Sequence, residues 1–212
     1  MIEEIKTFFE KEYADCLQPL SRISYDDAND RILCRSETRF FNYDKIVQRV
    51  CGSYTPRSPD MILFYGNNLV FIEFKAGRVD ISRRRDSLRD SIKLKGVEGG
   101  YLGLLRAVRP LHISFDAVCS LQKIFIIVYN ESHWRNHRTR GLQAHQENLI
   151  LKLGLGMYEG AFFRRVQALS SSNFLSWLGK RGFLREVEPP PPRNKPRAFS
   201  SEEKRKPGKT ER

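Results

Sequence analysis

Cysteine is scarce in this chain, and its spacing does not suit a metal site. The four cysteines, Cys16, Cys34, Cys51 and Cys119, are scattered, and no two of them form a C-x-x-C pair. This spacing argues against a zinc ribbon. Buried free thiols are the simpler interpretation.

Long apolar runs are also absent. No stretch approaches the roughly 20 apolar residues that a transmembrane helix needs. The first six residues include two glutamates and lack the apolar segment of a signal peptide. We therefore expect an intracellular protein that does not enter a membrane.

Acidic residues are too few to balance the basic ones. There are 25 acidic and 37 basic residues, which gives a formal net charge of +12. A basic excess of this size favours a polyanionic partner, and nucleic acid is the natural candidate.

A change in composition at Pro189 divides the chain. Residues 1–188 are predicted to form one domain, whereas residues 189–212 contain a run of four prolines, eight basic residues and three acidic ones. Such a segment cannot bury enough apolar surface to fold and predicts a disordered basic tail. The tail could hold nucleic acid, act as a localisation signal or only keep the protein soluble.

The most informative segment is a predicted β-hairpin over residues 58–75. Two apolar runs flank a Gly-Asn-Asn turn; Asp60 opens the first run, and Glu73 and Lys75 close the second. Strand side chains alternate, so Glu73 and Lys75 share a face. A turn at residues 66–67 would set Asp60 opposite Glu73, and a turn at residues 67–68 would set it opposite Lys75. Either register gathers the three charges at one end of the hairpin.

Two neighbouring carboxylates suggest a divalent metal. Asp60 and Glu73 would repel each other unless a cation joined them. Mg²⁺ commonly takes one or two carboxylates together with water and phosphate oxygens. A lysine beside such a metal can stabilise the charge on an attacked phosphate. An exposed ion pair at the hairpin end is the alternative interpretation.

The string Pro59-Asp60, twelve residues and then Glu73-x-Lys75 resembles the motif of the PD-(D/E)XK nuclease superfamily. The resemblance implies an α/β, restriction-endonuclease-like core of αβββαβ order, a central mixed sheet flanked by helices, here with extra C-terminal helices. It also implies Mg²⁺- or Mn²⁺-dependent cleavage of nucleic acid, DNA more often than RNA. Asp60 and Glu73 would be metal ligands and Lys75 the catalytic lysine. Pairing of two subunits would fit such an enzyme.

Members of this superfamily often add an acidic residue from the helix before the hairpin. Glu37 occupies that region, and Asp44 is the alternative. Glu37 could instead favour a helix N-terminus through the helix dipole.

Two basic clusters are candidates for phosphate contacts. The first follows the motif and the second lies after the last core strand; the residues concerned are Arg83, Arg84, Arg85, Arg89, Lys93, Lys95, Arg135 and Arg138. A solvated helix face with i,i+4 ion pairs is the alternative for the first cluster.

Apolar periodicity predicts the remaining elements. It predicts a helix over 2–14, a helix capped by Ser36 that runs to Val50 and ends at Gly52, a short strand over 53–55, a helix over 83–108, a buried strand over 122–129, and helices over 143–153, 157–169 and 173–183. The glycines at 96, 99, 100 and 103 either permit close packing of the 83–108 helix or break it.

The sequence therefore predicts a metal-dependent nuclease, an endonuclease more readily than an exonuclease. The alternative is a nuclease-like protein that binds nucleic acid, or forms part of a ribonucleoprotein, without cutting.

Overall fold

The structure is a computed structural model that describes residues 1–76, 85–130, 149–150 and 153–184, with only the backbone for residues 85–89. The predicted boundary at Pro189, the basic tail and the cluster with Arg135 and Arg138 lie outside these residues, as do Arg83 and Arg84. Most of the predicted 143–153 helix also falls outside them.

The described strands are β1 (Leu17–Pro19), β2 (Tyr25–Asp26), β3 (Arg31–Ile32), β4 (Arg39–Asn42), β5 (Met61–Tyr65), β6 (Asn68–Lys75), β7 (Gln122–Tyr129) and β8 (Arg165–Ser170). The α-helices are α1 (Ile2–Glu12), α2 (Leu20–Ile23), α3 (Tyr43–Cys51), α4 (Arg85–Leu94), α5 (Leu104–Ala107), α6 (Phe115–Ser120) and α7 (Ser171–Gly179). A π-helical segment, Lys95–Gly103, joins α4 to α5.

Six of the described strands form one mixed sheet in the order β1-β4-β5-β6-β7-β8, and β2 and β3 pair separately. The pairs from β1 to β6 are antiparallel, while β6 with β7 and β7 with β8 are parallel. Strands β6 and β7 lie in the interior of the sheet with both faces covered, which explains why both read as nearly continuous apolar runs.

Helices cover both faces of the sheet. On one face Phe9 of α1, Ile46 of α3 and Ile92 of α4 pack with Phe71 of β6. On the other face, the core includes Leu20 of α2, Phe174 and Leu178 of α7, and Val70 and Ile72 of β6. The fold is thus a three-layer α/β arrangement around a mixed sheet, as the sequence predicted in outline. No helix formed by the described residues is both long and apolar enough to cross a bilayer.

The predicted helix over 2–14 is confirmed as α1, and the described part of the predicted 83–108 helix is helical from Arg85 to Ala107. The buried strand over 122–129 is confirmed as well. The glycines do not break the second of these helices, because the chain continues through the π-helical segment into α5. Gly52 ends α3 with a positive φ of 56°, as predicted.

The prediction that α3 begins at Ser36 is wrong. Residues 39–42 form strand β4, and the side chain of Asn42 caps α3 by accepting a hydrogen bond from the Lys45 amide. Phe40 fits a helical spacing with Tyr43 and Val47 in sequence, but Phe40 and its neighbour Phe41 lie in opposite cores on the two faces of the sheet. Residues 39–42 therefore form a strand, because they lie between β1 and β5 with one phenylalanine buried on each face of the sheet.

Two further predictions are wrong. Residues 53–55 do not form a strand, because Gly52–Tyr54 is a 3-10 turn. Residues 157–169 do not form an α-helix but lead into β8, where Val166, Ala168 and Ser170 alternate as buried positions beside β7. That period of two marks a strand.

All four cysteines are free. Cys16 and Cys34 are buried, as the sequence predicted, whereas Cys51 and Cys119 are only partly so.

Candidate active site

The hairpin register brings Asp60 and Glu73 together. Tyr65 pairs with Asn68 and Met61 with Ile72, so the turn is at residues 66–67 and the next position sets Asp60 opposite Glu73. This is the first of the two predicted registers. The regular backbone pairing of β5 with β6 ends at Met61 and Ile72. Beyond it, Oδ2 of the Asp60 side chain accepts a hydrogen bond of 2.7 Å from the Phe74 amide.

Alternation along β6 places Glu73 and Lys75 on the same face. The Glu73 side chain is fully buried, and Nζ of Lys75 lies 2.6 Å from its Oε1. Phe74 points to the opposite face, where its ring meets Phe174 edge-on with the centroids 5.8 Å apart. The structure therefore brings together the three residues that the sequence selected.

A second lysine enters the same site from the helix that covers this face. Nζ of Lys95 lies 3.0 Å from Oδ1 of Asp60 and 2.9 Å from each carboxylate oxygen of Glu73. The sequence predicted a phosphate contact for Lys95 and not this position between two carboxylates. The available signal was the glycine-rich stretch that follows Lys95, since Gly99 lets the helix pack closely on the chain before Asp60.

Close packing of the π-helical segment explains how Lys95 reaches the carboxylates. A Cβ on Gly99 would lie 2.4 Å from the Ser58 Cα and 2.5 Å from the Arg57 carbonyl oxygen, so only glycine permits this approach. The hydroxyl of Tyr43 donates a hydrogen bond of 2.8 Å to the Gly99 carbonyl. These contacts fix the helix against the segment that leads into Asp60. A π-helical insertion is also a feature found frequently at functional sites.

The predicted third carboxylate is not in the site. Glu37 precedes β4, is exposed and accepts a hydrogen bond from Ser21. The prediction that Glu37 lies on the helix before the hairpin is wrong, because that helix begins only at Tyr43.

Asp44 is on α3 but serves the site indirectly. Its Oδ1 accepts a hydrogen bond of 2.5 Å from the buried hydroxyl of Ser58, two residues before Asp60. The Asp60 carbonyl in turn accepts from the Tyr43 amide at 3.0 Å. Asp44 thus helps to orient the chain that carries Asp60.

Charge and burial determine the protonation of the site. Burial is the largest cause that raises the pKa of Asp60 from 3.8 to about 7, and the neighbouring Glu73 carboxylate raises it further. Lys95 has the opposite effect and lowers this pKa. Burial alone would lower the pKa of Lys95, but Glu73 and Asp60 outweigh it and raise that pKa instead. Lys95 is therefore held as an ammonium between the two carboxyl groups.

A fully buried lysine elsewhere in the sheet has different surroundings from those of Lys95. Lys123 in β7 is fully buried, and its Nζ donates to the carbonyls of Val118, Cys119 and Leu121 at the end of α6. Burial lowers the pKa of Lys123. Lys123 thus caps a helix, whereas Lys95 neutralises carboxylates.

The donor set fits an oxygen-seeking dication. Asp60 and Glu73 both reach one common cation, the ammonium of Lys95, and so lie close enough to share a metal. Oε1 of Glu73 is buried within ion-pair distance of both lysines but meets neither in hydrogen-bond geometry. No group of three or more acidic, histidine or cysteine residues is clustered among the described residues. Two carboxylates with water and phosphate completing the shell are nevertheless a usual Mg²⁺ environment.

The predicted phosphate-contacting residues are described only in part. Lys93 and Lys95 lie on the helix over the site, and the backbone of Arg85 and Arg89 belongs to α4. Among these predicted phosphate contacts, Lys95 is therefore the one whose described side chain contacts the carboxylates of the site.

Comparison with known proteins found no matching family model, no matching curated protein and no matching solved structure.

Proposed function

We propose that this chain is a metal-dependent nuclease of the PD-(D/E)XK type that hydrolyses phosphodiester bonds. The observation that carries the proposal is the convergence of Asp60, Glu73 and Lys75 at the end of one hairpin. The sheet supports it in part: β4, β5 and β6 are antiparallel neighbours, with α3 inserted between β4 and β5, and helix α4 precedes the parallel strand β7. A restriction-endonuclease-like core of αβββαβ order is part of the proposal.

In this mechanism Asp60 and Glu73 would hold Mg²⁺ or Mn²⁺. A metal bound there would polarise the phosphoryl group and lower the pKa of an attacking water. Lys75 orients that water or neutralises the charge that develops on the phosphate. The Phe74 amide fixes one oxygen of Asp60 and leaves Oδ1 directed toward the shared position.

The substrate in this proposal is nucleic acid, with DNA favoured over RNA. The net charge of +12 supports a polyanionic substrate. An intracellular location, endonucleolytic cutting and pairing of two chains belong to the same proposal.

A second candidate is a nuclease-like protein that binds nucleic acid without cutting it. One observation favours it: Lys75 and Lys95 already balance the charges of Asp60 and Glu73. Such a site can persist as an internal salt-bridge network.

Cleavage assays separate the two candidates. Single-stranded, duplex and branched DNA and RNA are incubated with the full chain in Mg²⁺, Mn²⁺ or excess chelator, with Glu73→Gln as the inactive control. We expect cleavage only with metal and only by the wild-type chain. Binding without cleavage of any substrate would favour the second candidate, and full activity in chelator would rule out the proposed mechanism.

A further inference from the structure

The ammonium of Lys95 occupies the position that a divalent cation would need. Its Nζ is within 3.0 Å of Asp60 Oδ1 and of both oxygens of Glu73. Lys75 differs, since its ion pair is with Glu73. Lys95 is thus the cation that joins the two carboxylates.

The surroundings favour a second cation beside Lys75 when no metal is bound. The Glu73 side chain has no exposed surface, and a buried carboxylate without a counter-charge is strongly destabilising. The approach at Gly99 and the hydrogen bond from Tyr43 hold the backbone of Lys95 over the site. The position of Lys95 is therefore built into the fold.

A dication and the ammonium cannot both sit between these oxygens. Both would use the same carboxylate lone pairs, and their like charges would lie within a few ångströms of each other. The lysine, by contrast, has a long flexible stem and remains 21% exposed. Its head group can move toward solvent while the helix stays in place.

We infer that Lys95 holds the place of the metal in the metal-free protein and leaves it when Mg²⁺ or Mn²⁺ binds. This inference rests on the proposed metal site. Released from the carboxylates, the ammonium of Lys95 lies at the edge of the site and neutralises a phosphate oxygen of the substrate. Metal binding and substrate binding are thereby coupled through one side chain.

The test measures metal affinity without requiring activity. Mn²⁺ binding to the full chain, freed of metal beforehand, is followed by calorimetry and by the electron paramagnetic resonance of free Mn²⁺. The variants are Lys95→Met and Lys95→Gln; the latter keeps a hydrogen-bond donor should the former fail to fold. Lys45→Met removes an equal charge from an exposed position on α3 and corrects for net charge.

We expect both Lys95 variants to bind Mn²⁺ at least about tenfold more tightly than wild type, because a competing unit charge is gone. The Lys45→Met chain should match wild type within about twofold, since an exposed charge is screened by solvent and salt. Without metal, the melting temperature of the Lys95 variants should fall, and saturating Mn²⁺ should restore more of it than it adds to wild type.

Each outcome decides a different point. If wild type binds Mn²⁺ and the Lys95 variants bind it equally or more weakly, Lys95 is not a competitor and only this inference is overturned. If neither wild type nor variants bind Mn²⁺, the metal site of the proposed function is overturned as well.

Discussion

The carboxylate of Asp60 accepts a hydrogen bond from the backbone amide of Phe74 at 2.7 Å, across the open end of the hairpin. Phe74 lies between Glu73 and Lys75, so the strand that carries these two residues also orients Asp60. A one-residue slip of β6 would turn Glu73 and Lys75 to the other face and give Asp60 a different amide. The register of the hairpin therefore determines the geometry of the site.

Replacing Lys75 with alanine tests the proposed chemistry. We expect Lys75→Ala to lower the cleavage rate by roughly 10²- to 10³-fold, the usual effect of losing one group that stabilises the transition state. Substrate affinity should fall little, because many other basic residues remain. Single-turnover cleavage and equilibrium binding measure the two effects, with the exposed Lys45→Ala as the matched control. A Lys75→Ala chain that cuts at the wild-type rate would refute the mechanism.

Phe74 tests the alternation of faces along β6. The side chain is 9% exposed and packs on Phe174 in the core opposite the site. We expect Phe74→Ala to lower the free energy of unfolding by about 3–5 kcal/mol, because a large buried ring leaves a cavity. Urea denaturation measures this loss. A change below about 1 kcal/mol would mean that Phe74 does not fill this core.

Gly99 tests the approach of the helix to the segment before Asp60. A Cβ there would meet backbone atoms of Ser58 and Arg57, which cannot rotate away as a side-chain end could. We expect Gly99→Ala to cost about 1–3 kcal/mol through overpacking. It should also weaken Mn²⁺ binding by displacing Asp60.

Gly179 provides the matched control for this substitution. A Cβ on Gly179 meets nothing within 4 Å at the end of α7, so Gly179→Ala should leave both stability and metal affinity near wild type. Thermal melts of the two variants, run side by side, give the comparison. Equal melting temperatures would show that the close contact at Gly99 is not needed.

The raised pKa of Asp60 predicts a pH dependence of stability. The folded chain holds this proton up to about pH 7, whereas the ordinary value is 3.8. The contribution of Asp60 to stability is therefore complete below about pH 4 and is lost as the pH rises through 7. Asp60→Asn does not titrate, so the stability of wild type relative to this variant should decline over that range in chelator.

Carbon-detected NMR of the Asp60 carboxyl measures the same equilibrium directly. We expect a titration midpoint near pH 7 without metal and a lower midpoint in Mg²⁺, because a bound dication favours the carboxylate. A midpoint near 4 in the metal-free chain would contradict the burial and charge coupling described for this site.

Local pattern predicted the hairpin and its charged residues correctly. A two-residue turn and alternating side chains determine which side chains of the 58–75 hairpin share a face. These rules act between near neighbours in sequence. The same rules left two registers open. They failed for Glu37, because a local spacing that suits a helix did not reveal that residues 39–42 are held between two strands.

The sequence by itself determined that Asp60, Glu73 and Lys75 meet at one end of a hairpin, since turn and alternation are local. Tertiary structure alone decided that Lys95 joins them. Lys95 lies 22 residues from Glu73 and 35 from Asp60, and no periodic pattern connects positions so far apart. Their contact depends on how closely a helix packs on the sheet, which the missing side chain of Gly99 permits. Packing of this kind depends on shapes that meet only in the folded chain.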